Sequence, residues 1–364
     1  MRVILAAVVA ALLAGGAFAQ SLDTQAGPVQ VTQVMSGLDE PWGLGLLPGG
    51  AFLVSERGGR LLYVSEGEAR EVAGVPDVYA NGQGGLLDVT IARDFGQSRT
   101  VFLTFARPQR GGGSTALASA RLSDDGSRLE DLRVLFTAKP VSNAGRHFGS
   151  RVVEAPDGKL FVTLGERGDR PSSQDRGSHN GSVVRINRDG TVPADNPFTG
   201  MAGALPEIWS YGHRNVQGAG LDLQGRLVVA EHGAKGGDEV NLVRKGANYG
   251  WPVISYGVHY NGSKIGEGVS KDGMEQPEHY WDPSIAPSGL IVYSGKLWPE
   301  WRGDVFVGSL KFNMISRLEG SPLREAERIS GAATARVRDL AEAADGSIWF
   351  ISVGEGAVYR MVPG

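Results

Sequence analysis

An all-β fold, a six-bladed β-propeller of four-stranded antiparallel sheets, is what three observations predict for this chain. Glycine supplies 54 of its 364 residues, without the third-residue period of collagen, a density that marks many tight turns between short strands. One local pattern recurs six times: a turn ending in Gly, two to five apolar or β-branched residues, then a second turn and strand. No long amphipathic pattern interrupts it.

The units run LPGGAFLVSERGGRLLYV from Leu47, RDFGQSRTVFLTFA from Arg93, APDGKLFVTLGERG from Ala155, DLQGRLVVAEHG from Asp222, WRGDVFVGSLKFNMISRLE from Trp301 and AADGSIWFISVGEGAVYRM from Ala343. Their turn glycines are Gly50, Gly96, Gly158, Gly225, Gly303 and Gly346. Asp-Gly and Gly-Gly turns between short strands imply antiparallel hairpins. Each unit is too small to bury its own face, so six of them pack radially. A β-sandwich or two smaller β domains would share the strand content, but six spaced repeats without a proline-rich linker favour one ring.

Ahead of the first unit the chain reads MRVILAAVVAALLAGGAFAQ. A charge at Arg2, an apolar run from Val3 to Leu13 and Ala17-Phe18-Ala19 before Gln20 predict a secretory signal peptide over residues 1–19, with residues 20–364 as one catalytic propeller domain. The run is too short and too rich in small residues for a membrane anchor. Cysteine is absent, so neither a lipid-modified cysteine nor a disulfide is available, and a periplasmic protein stabilised by its core is expected. With a net charge of −4 and no long basic run, nucleic acid and anionic membranes are not expected partners.

The polar residues that need explaining are scattered, as expected when a site is built from loops at one end of a propeller. His147, in Arg146-His147-Phe148-Gly149-Ser150-Arg151, stands just before the third unit's strand; an imidazole there suits a general base. Arg214-Asn215 offers a forked cation and an amide for a planar anionic ligand. The turn Gly233 to Glu239, GAKGGDE, could give backbone carbonyls and a carboxylate to calcium, though without EF-hand spacing. Lys311, Arg336 and Arg338 come late in the chain; read as a strand, Arg336 and Arg338 share a face and call for a bridging anion. Taken singly, each of these is a solvated surface charge. No Gly-x-Gly-x-x-Gly after a strand, P-loop, Gly-x-Ser-x-Gly or His-Glu-x-x-His occurs.

Nine segments in order, among them GQGGLLDV at Gly82, HFGSRVV at His147, FVTLGERG at Phe161, GHRNVQG at Gly212, EHGAKGGDEVNL at Glu231, NYGWPVISYG at Asn248 and RVRDL at Arg336, make the mature chain resemble the soluble pyrroloquinoline quinone (PQQ) dependent sugar dehydrogenases of the glucose/sorbosone type, and more particularly their aldose sugar dehydrogenase branch. The resemblance implies a propeller holding PQQ and two calcium ions, one catalytic and one structural. It implies that His147 is the base acting on the anomeric hydroxyl while hydride passes to the quinone, and that Arg214 stabilises the developing oxyanion. Gln83 and Asn215 match amides near the cofactor. Lys311, Arg336 and Arg338 match the cations that hold its carboxylates, and Tyr260 and Trp281 match wall aromatics. The carbonyls of Gly233 and Ala234 match ligands of the catalytic calcium, and Glu239 and Tyr249 match ligands of the structural one. Ala234 and Val216 stand where many relatives have proline, Glu166 where relatives often have aspartate, and Arg146 where glucose-specialised relatives carry an acid. A strict glucose preference is therefore not carried over.

The expected activity is oxidation of aldose sugars to lactones, with electrons passed to an external acceptor (a quinone, a cytochrome or a dye); the sequence leaves the sugar, the acceptor and the oligomeric state open. Two other readings are a calcium-dependent sugar-lactone hydrolase and a non-catalytic carbohydrate-binding propeller. The first leaves the basic cluster unexplained, the second leaves His147 and Arg214 without a joint role.

Overall fold

The computed structural model describes residues 19–364. The expected signal peptide therefore falls, but for Ala19, outside the described residues. Two N-terminal strands come first, β1 (Ala19–Thr24) and β2 (Gly27–Met35). Blade 1 is β3 (Pro41–Leu46), β4 (Phe52–Glu56), β5 (Leu61–Ser65) and β6 (Glu68–Glu71). Blade 2 is β7 (Leu86–Ile91), β8 (Thr100–Gln109), β9 (Gly112–Leu122) and β10 (Leu129–Thr137). Blade 3 is β11 (Val152–Glu154), β12 (Leu160–Thr163), β13 (Ser182–Ile186) and β14 (Ile208–Tyr211). Blade 4 is β15 (Val216–Leu221), β16 (Leu227–Glu231), β17 (Asp238–Leu242) and β18 (His279–Trp281). Blade 5 is β19 (Pro287–Val292), β20 (Val305–Ser309), β21 (Met314–Glu319) and β22 (Arg324–Ser330). Blade 6 is β23 (Val337–Glu342), β24 (Ile348–Ser352) and β25 (Ala357–Pro363), completed by β2 and β1 in the order β23-β24-β25-β2-β1.

The six-bladed propeller is thus the observed fold, with one difference: the sixth sheet has five strands. Val29 pairs with Pro363 and Val31 with Met361, so the start of the chain is stitched to its end. First strands of successive blades touch around the ring, and β23 meets β3 to close it. The six turn glycines of the repeat all fall in the connection between a blade's first and second strands. In blade 2 that connection also holds a one-turn helix, α1 (Phe95–Ser98).

Among the described residues the apolar side chains form no single central core. Six apolar clusters lie between neighbouring blades, one at each junction. In β4, Phe52 and Val54 pack toward blade 6 while Leu53 packs toward blade 2. In β12, Leu160 and Val162 face blade 2 and Phe161 faces blade 4. Because both faces of each sheet are covered, such strands are apolar throughout instead of alternating with polar residues. No helix among the described residues is long and apolar enough to cross a membrane.

Candidate active site

In an antiparallel blade the start of the first strand and the end of the second lie at the same end of the ring, opposite the glycine turns. At that end opens a cavity of about 580 Å³. Its lining comes from those positions: Trp42 opens β3, Gln83 precedes β7, Phe148 and Gly149 precede β11, Asn215 precedes β15, and His232 and Lys311 follow β16 and β20.

His147 stands at the rim, between lining residues. Its backbone N–H donates to Gln83 Oε1 at 2.7 Å, and its Nδ1 lies 2.5 Å from Glu166 Oε1, a carboxylate only 1% exposed. With a carboxylate as acceptor, Nδ1 carries the hydrogen and Nε2 keeps its lone pair. Burial lowers the imidazole pKa and Arg214 adds to this, while Glu166 opposes it; the net shift is downward. The ring is therefore neutral at neutral pH. Its backbone is left-handed, φ 53°, in a run with Gly149 at 63° and Ser150 at 98°, a conformation that persists only where the surroundings enforce it. Gly165 helps enforce it: a Cβ there would sit 2.1 Å from the His147 carbonyl oxygen.

Arg214 is buried, and so is Asn215. The Glu166 backbone N–H donates to the Arg214 carbonyl at 2.9 Å, which ties the two halves of the site together. The guanidinium donates from Nη1 to His232 O at 3.2 Å and lies over the Trp251 ring, Cζ 5.3 Å from its centroid. Its Nε is buried without a partner. Burial lowers its pKa, and the exposed Tyr260 phenol stands beside it. Asn215 turns its Oδ1 to the Gly149 N–H at 3.2 Å, bracing the His147 loop.

The opposite wall is cationic. Arg57, Lys311, Arg336 and Arg338 line the cavity against one carboxylate, Glu40, which Arg57 already pairs. The other three have neutral partners. Arg336 Nη1 donates to Leu310 O at 3.1 Å, Arg338 Nη1 donates to Gln217 Oε1 at 2.9 Å, and Lys311 Nζ sits 4.9 Å from the Phe312 ring centroid. Burial, then Arg151 and Arg336, push Arg338 down to about 9. Gathered cations without counter-charges fit a ligand bearing several carboxylates. Arg336 is not in the strand, however: β23 begins at Val337 and Arg336 is left-handed, φ 53°. The two arginines reach one cavity through a kink and not through strand alternation.

Below the cavity a buried arginine closes the channel. Arg151 Nη1 bridges Asp88 at 3.0 Å and Asp339 at 2.8 Å, Nε donates to Gln217 O at 2.8 Å and Nη2 to Arg338 O at 3.0 Å. Its Cζ lies 4.3 Å from the Trp42 ring centroid.

The Gly233–Gly237 turn is held from within. Asp238 Oδ1 accepts the Gly233 N–H at 2.8 Å, and Oδ2 accepts Ser284 Oγ and the Ala286 N–H at 2.7 and 2.9 Å. That carboxylate is committed to the backbone, so a calcium ion here would draw on the Gly233 and Ala234 carbonyls. Glu239 is different: burial, then the neighbouring Glu231 carboxylate, raise its pKa well above the usual carboxylate range, and nearby Asn241 Oδ1 is buried without a partner. Such an oxygen-rich, charge-frustrated site fits a hard cation. The Tyr249 hydroxyl donates to Leu242 O at 2.6 Å and accepts the Arg244 N–H at 2.9 Å, so only its carbonyl is available as a ligand. Trp281 is not brought to the cavity. It is 4% exposed in the core between blades 4 and 5, with its indole N–H on Glu325 Oε1 at 3.2 Å; an aromatic in a strand is as readily a packing residue as a wall.

Several site residues were not singled out from the sequence: Trp42, Arg57, Gln217, His232 and the Asp88–Arg151–Asp339 bridge. Single charges and amides inside strands carry no local signature. Arg151, four residues after His147, was the one with a hint, being an arginine at the entry to an apolar strand.

A neutral imidazole and a group of cations without counter-charges thus meet at one end of the ring, a setting that suits a polar or anionic ligand. Comparison with known proteins narrows the class. The family model described as Glucose / Sorbosone dehydrogenase matches residues 38–360, and the chain belongs to that family. It is 40% identical over 333 residues to aldose sugar dehydrogenase YliI of Escherichia coli (strain K12), covering 89% of this chain and 90% of that one. The crystal structure of the soluble aldose sugar dehydrogenase from Escherichia coli in the apo-form superposes with a TM-score of 0.88 at 38% identity, covering 92% of this chain and 100% of that one. The PQQ-bound form of aldose sugar dehydrogenase from Streptomyces coelicolor superposes with a TM-score of 0.77 at 28% identity, covering 92% and 98%. The protein is an oxidoreductase acting on the CH–OH groups of sugars.

Proposed function

We propose that this chain is an exported, periplasmic, PQQ- and calcium-dependent dehydrogenase that oxidises aldoses at the anomeric carbon to lactones and hands the electrons to an external acceptor. The observation that carries this reading is the pairing of the His147–Glu166 dyad with the unneutralised wall of Lys311, Arg336 and Arg338. When bound, PQQ would supply the hydride acceptor and calcium a Lewis acid beside it.

The chain's own residues do the rest. Lys311, Arg336 and Arg338 hold the carboxylates. Arg214, whose charge stands beside His147, would stabilise negative charge that grows during the reaction. His147 Nε2 takes the proton of the anomeric hydroxyl, and Glu166 stabilises the imidazolium that results. Gly233 and Ala234 would hold the calcium of the site; Glu239, with the Tyr249 carbonyl, would hold the structural one. A lactone hydrolase would need free carboxylates at the channel centre, whereas Asp88 and Asp339 are both tied to Arg151.

The test is reconstitution: purified protein supplied with PQQ and calcium reduces a dye when given aldoses. No cofactor-dependent turnover across a panel of sugars sinks the reading. His147→Ala is expected to bind PQQ as before and to lose on the order of 10² to 10⁴ in kcat; unchanged turnover would remove His147 from the role of base.

A further inference from the structure

We propose that Arg167 is a positioning residue for the reaction, clamping the loop that carries His147 while its chain neighbour Glu166 grips the ring. The inference rests on His147 as the base.

Arg167 is 5% exposed and has no carboxylate bonded to it. Its guanidinium donates to three backbone carbonyls: Nε to Arg146 O at 2.9 Å, Nη1 to Gly113 O at 2.8 Å and Nη2 to Ala144 O. Its Cζ also lies 3.6 Å from the Phe148 ring centroid. Residues 144 and 146 precede His147 and Phe148 follows it, so one side chain holds the loop on both sides of the base. Gly113 belongs to β9 and anchors the clamp to a rigid sheet.

A buried charge without a carboxylate is costly unless hydrogen bonds and a ring face offset it. Burial does push this guanidinium down to about 10, which still leaves it charged at neutral pH. Mere filling of the space would be met by an apolar side chain. The backbone it holds needs holding: Arg167 itself has φ 58°, and His147, Gly149 and Ser150 are left-handed. Together Glu166 and Arg167, adjacent in sequence, fix the ring's hydrogen bond and the loop's path. Misplacing a reacting group by about 1 Å costs on the order of 10² in rate.

The test compares Arg167→Met and Arg167→Lys with wild type, and with Arg185→Met as a control for lost stability. Arg185 is another buried arginine, bonded to Asp157, Asp195 and Asn196 away from the cavity. Two readouts are used: kcat, KM and PQQ affinity of the protein reconstituted with PQQ and calcium, and the ¹⁵N signals of the His147 ring in the cofactor-free protein. Arg167→Met is expected to lower kcat on the order of 10²-fold, with KM and PQQ affinity within about threefold. Its His147 signals are expected to change from one fixed Nδ1–H tautomer to an average of two, with Arg167→Lys in between. A fixed tautomer in Arg167→Met, together with a kcat loss no larger than in Arg185→Met, overturns the proposal. If Arg167→Met fails to fold, Arg167→Lys decides by the same two readouts. The ring signals are read without cofactor, so failure of this proposal is separable from failure of His147 as base, which shows as turnover in His147→Ala.

Discussion

His147 is pulled two ways, and the balance sets the pH response. Burial and the Arg214 charge favour the neutral ring, Glu166 favours the charged one, and the neutral form wins. A depressed folded pKa means that the unfolded chain takes up the proton first as pH falls. The ring's contribution to stability is thus complete above the ordinary imidazole pKa of about 6.5 and is lost below it. Activity follows the same sign, because the protonated ring cannot accept a proton. The reconstituted enzyme is expected to hold a level kcat/KM as pH falls through about 6.5 and to lose it only further into acid; a midpoint at or above that value in the pH profile contradicts the arrangement. At this scale the sequence was readable where a residue's chemistry is unusual for its place, as with His147 or Arg214. It was not readable for Trp281, whose indole serves equally as wall or core.

At the scale of elements, the Gly233–Gly237 turn shows how a glycine-rich acidic segment divides its labour. Asp238 satisfies two backbone amides and a hydroxyl and braces the turn, whereas Glu239, on the other side of the strand, is buried beside Glu231 with the Asn241 amide as its donor. The segment after β17 then folds back on it, with Lys235 and Val258 exchanging N–H···O bonds of 3.0 and 3.1 Å. Asp238→Ala would strand buried amides, so a loss on the order of 3 kcal/mol in urea denaturation is expected, accompanied by a weaker stabilisation by added calcium. A loss below about 1 kcal/mol would show that the excursion alone holds the turn. Five of the six repeat glycines were legible because a left-handed turn leaves a mark in sequence: Gly50, Gly158, Gly225, Gly303 and Gly346 have positive φ, whereas Gly96 sits in α1. The kink at Arg336 was not, since a non-glycine residue at φ 53° is set by its surroundings, here the Asn313 Oδ1 that accepts its N–H at 3.0 Å.

For the whole molecule, stability is distributed over six junctions, and the channel is the place where all of them could slide. Arg151, from the loop before blade 3, reaches Asp88 in blade 2, Gln217 in blade 4 and Asp339 in blade 6, so one guanidinium registers four blades. Arg151→Met would leave two buried carboxylates facing each other. The expected loss is about 3 to 5 kcal/mol, read as a lower thermal midpoint; a midpoint within about 2 °C of wild type would show that the bridge does not hold the ring together. The number and kind of blades were legible in the repeat, but this axial bridge was not, because it joins residues more than sixty positions apart in sequence.

The stitching of Val29 and Val31 to Pro363 and Met361 has a consequence in time. A chain that emerges N-terminus first releases β1 and β2 early, and these two pair with each other, yet β25, the strand that joins their hairpin to the sixth sheet, is the last to arrive. The apolar side chains of Leu22, Val29 and Val31, which end in the junction of blades 5 and 6, must wait uncovered by those blades through the synthesis of everything between. The ring therefore cannot lock while any part of the chain is still in transit. Such a chain stays an open thread throughout its synthesis, and becomes a closed ring only when its final strand comes free.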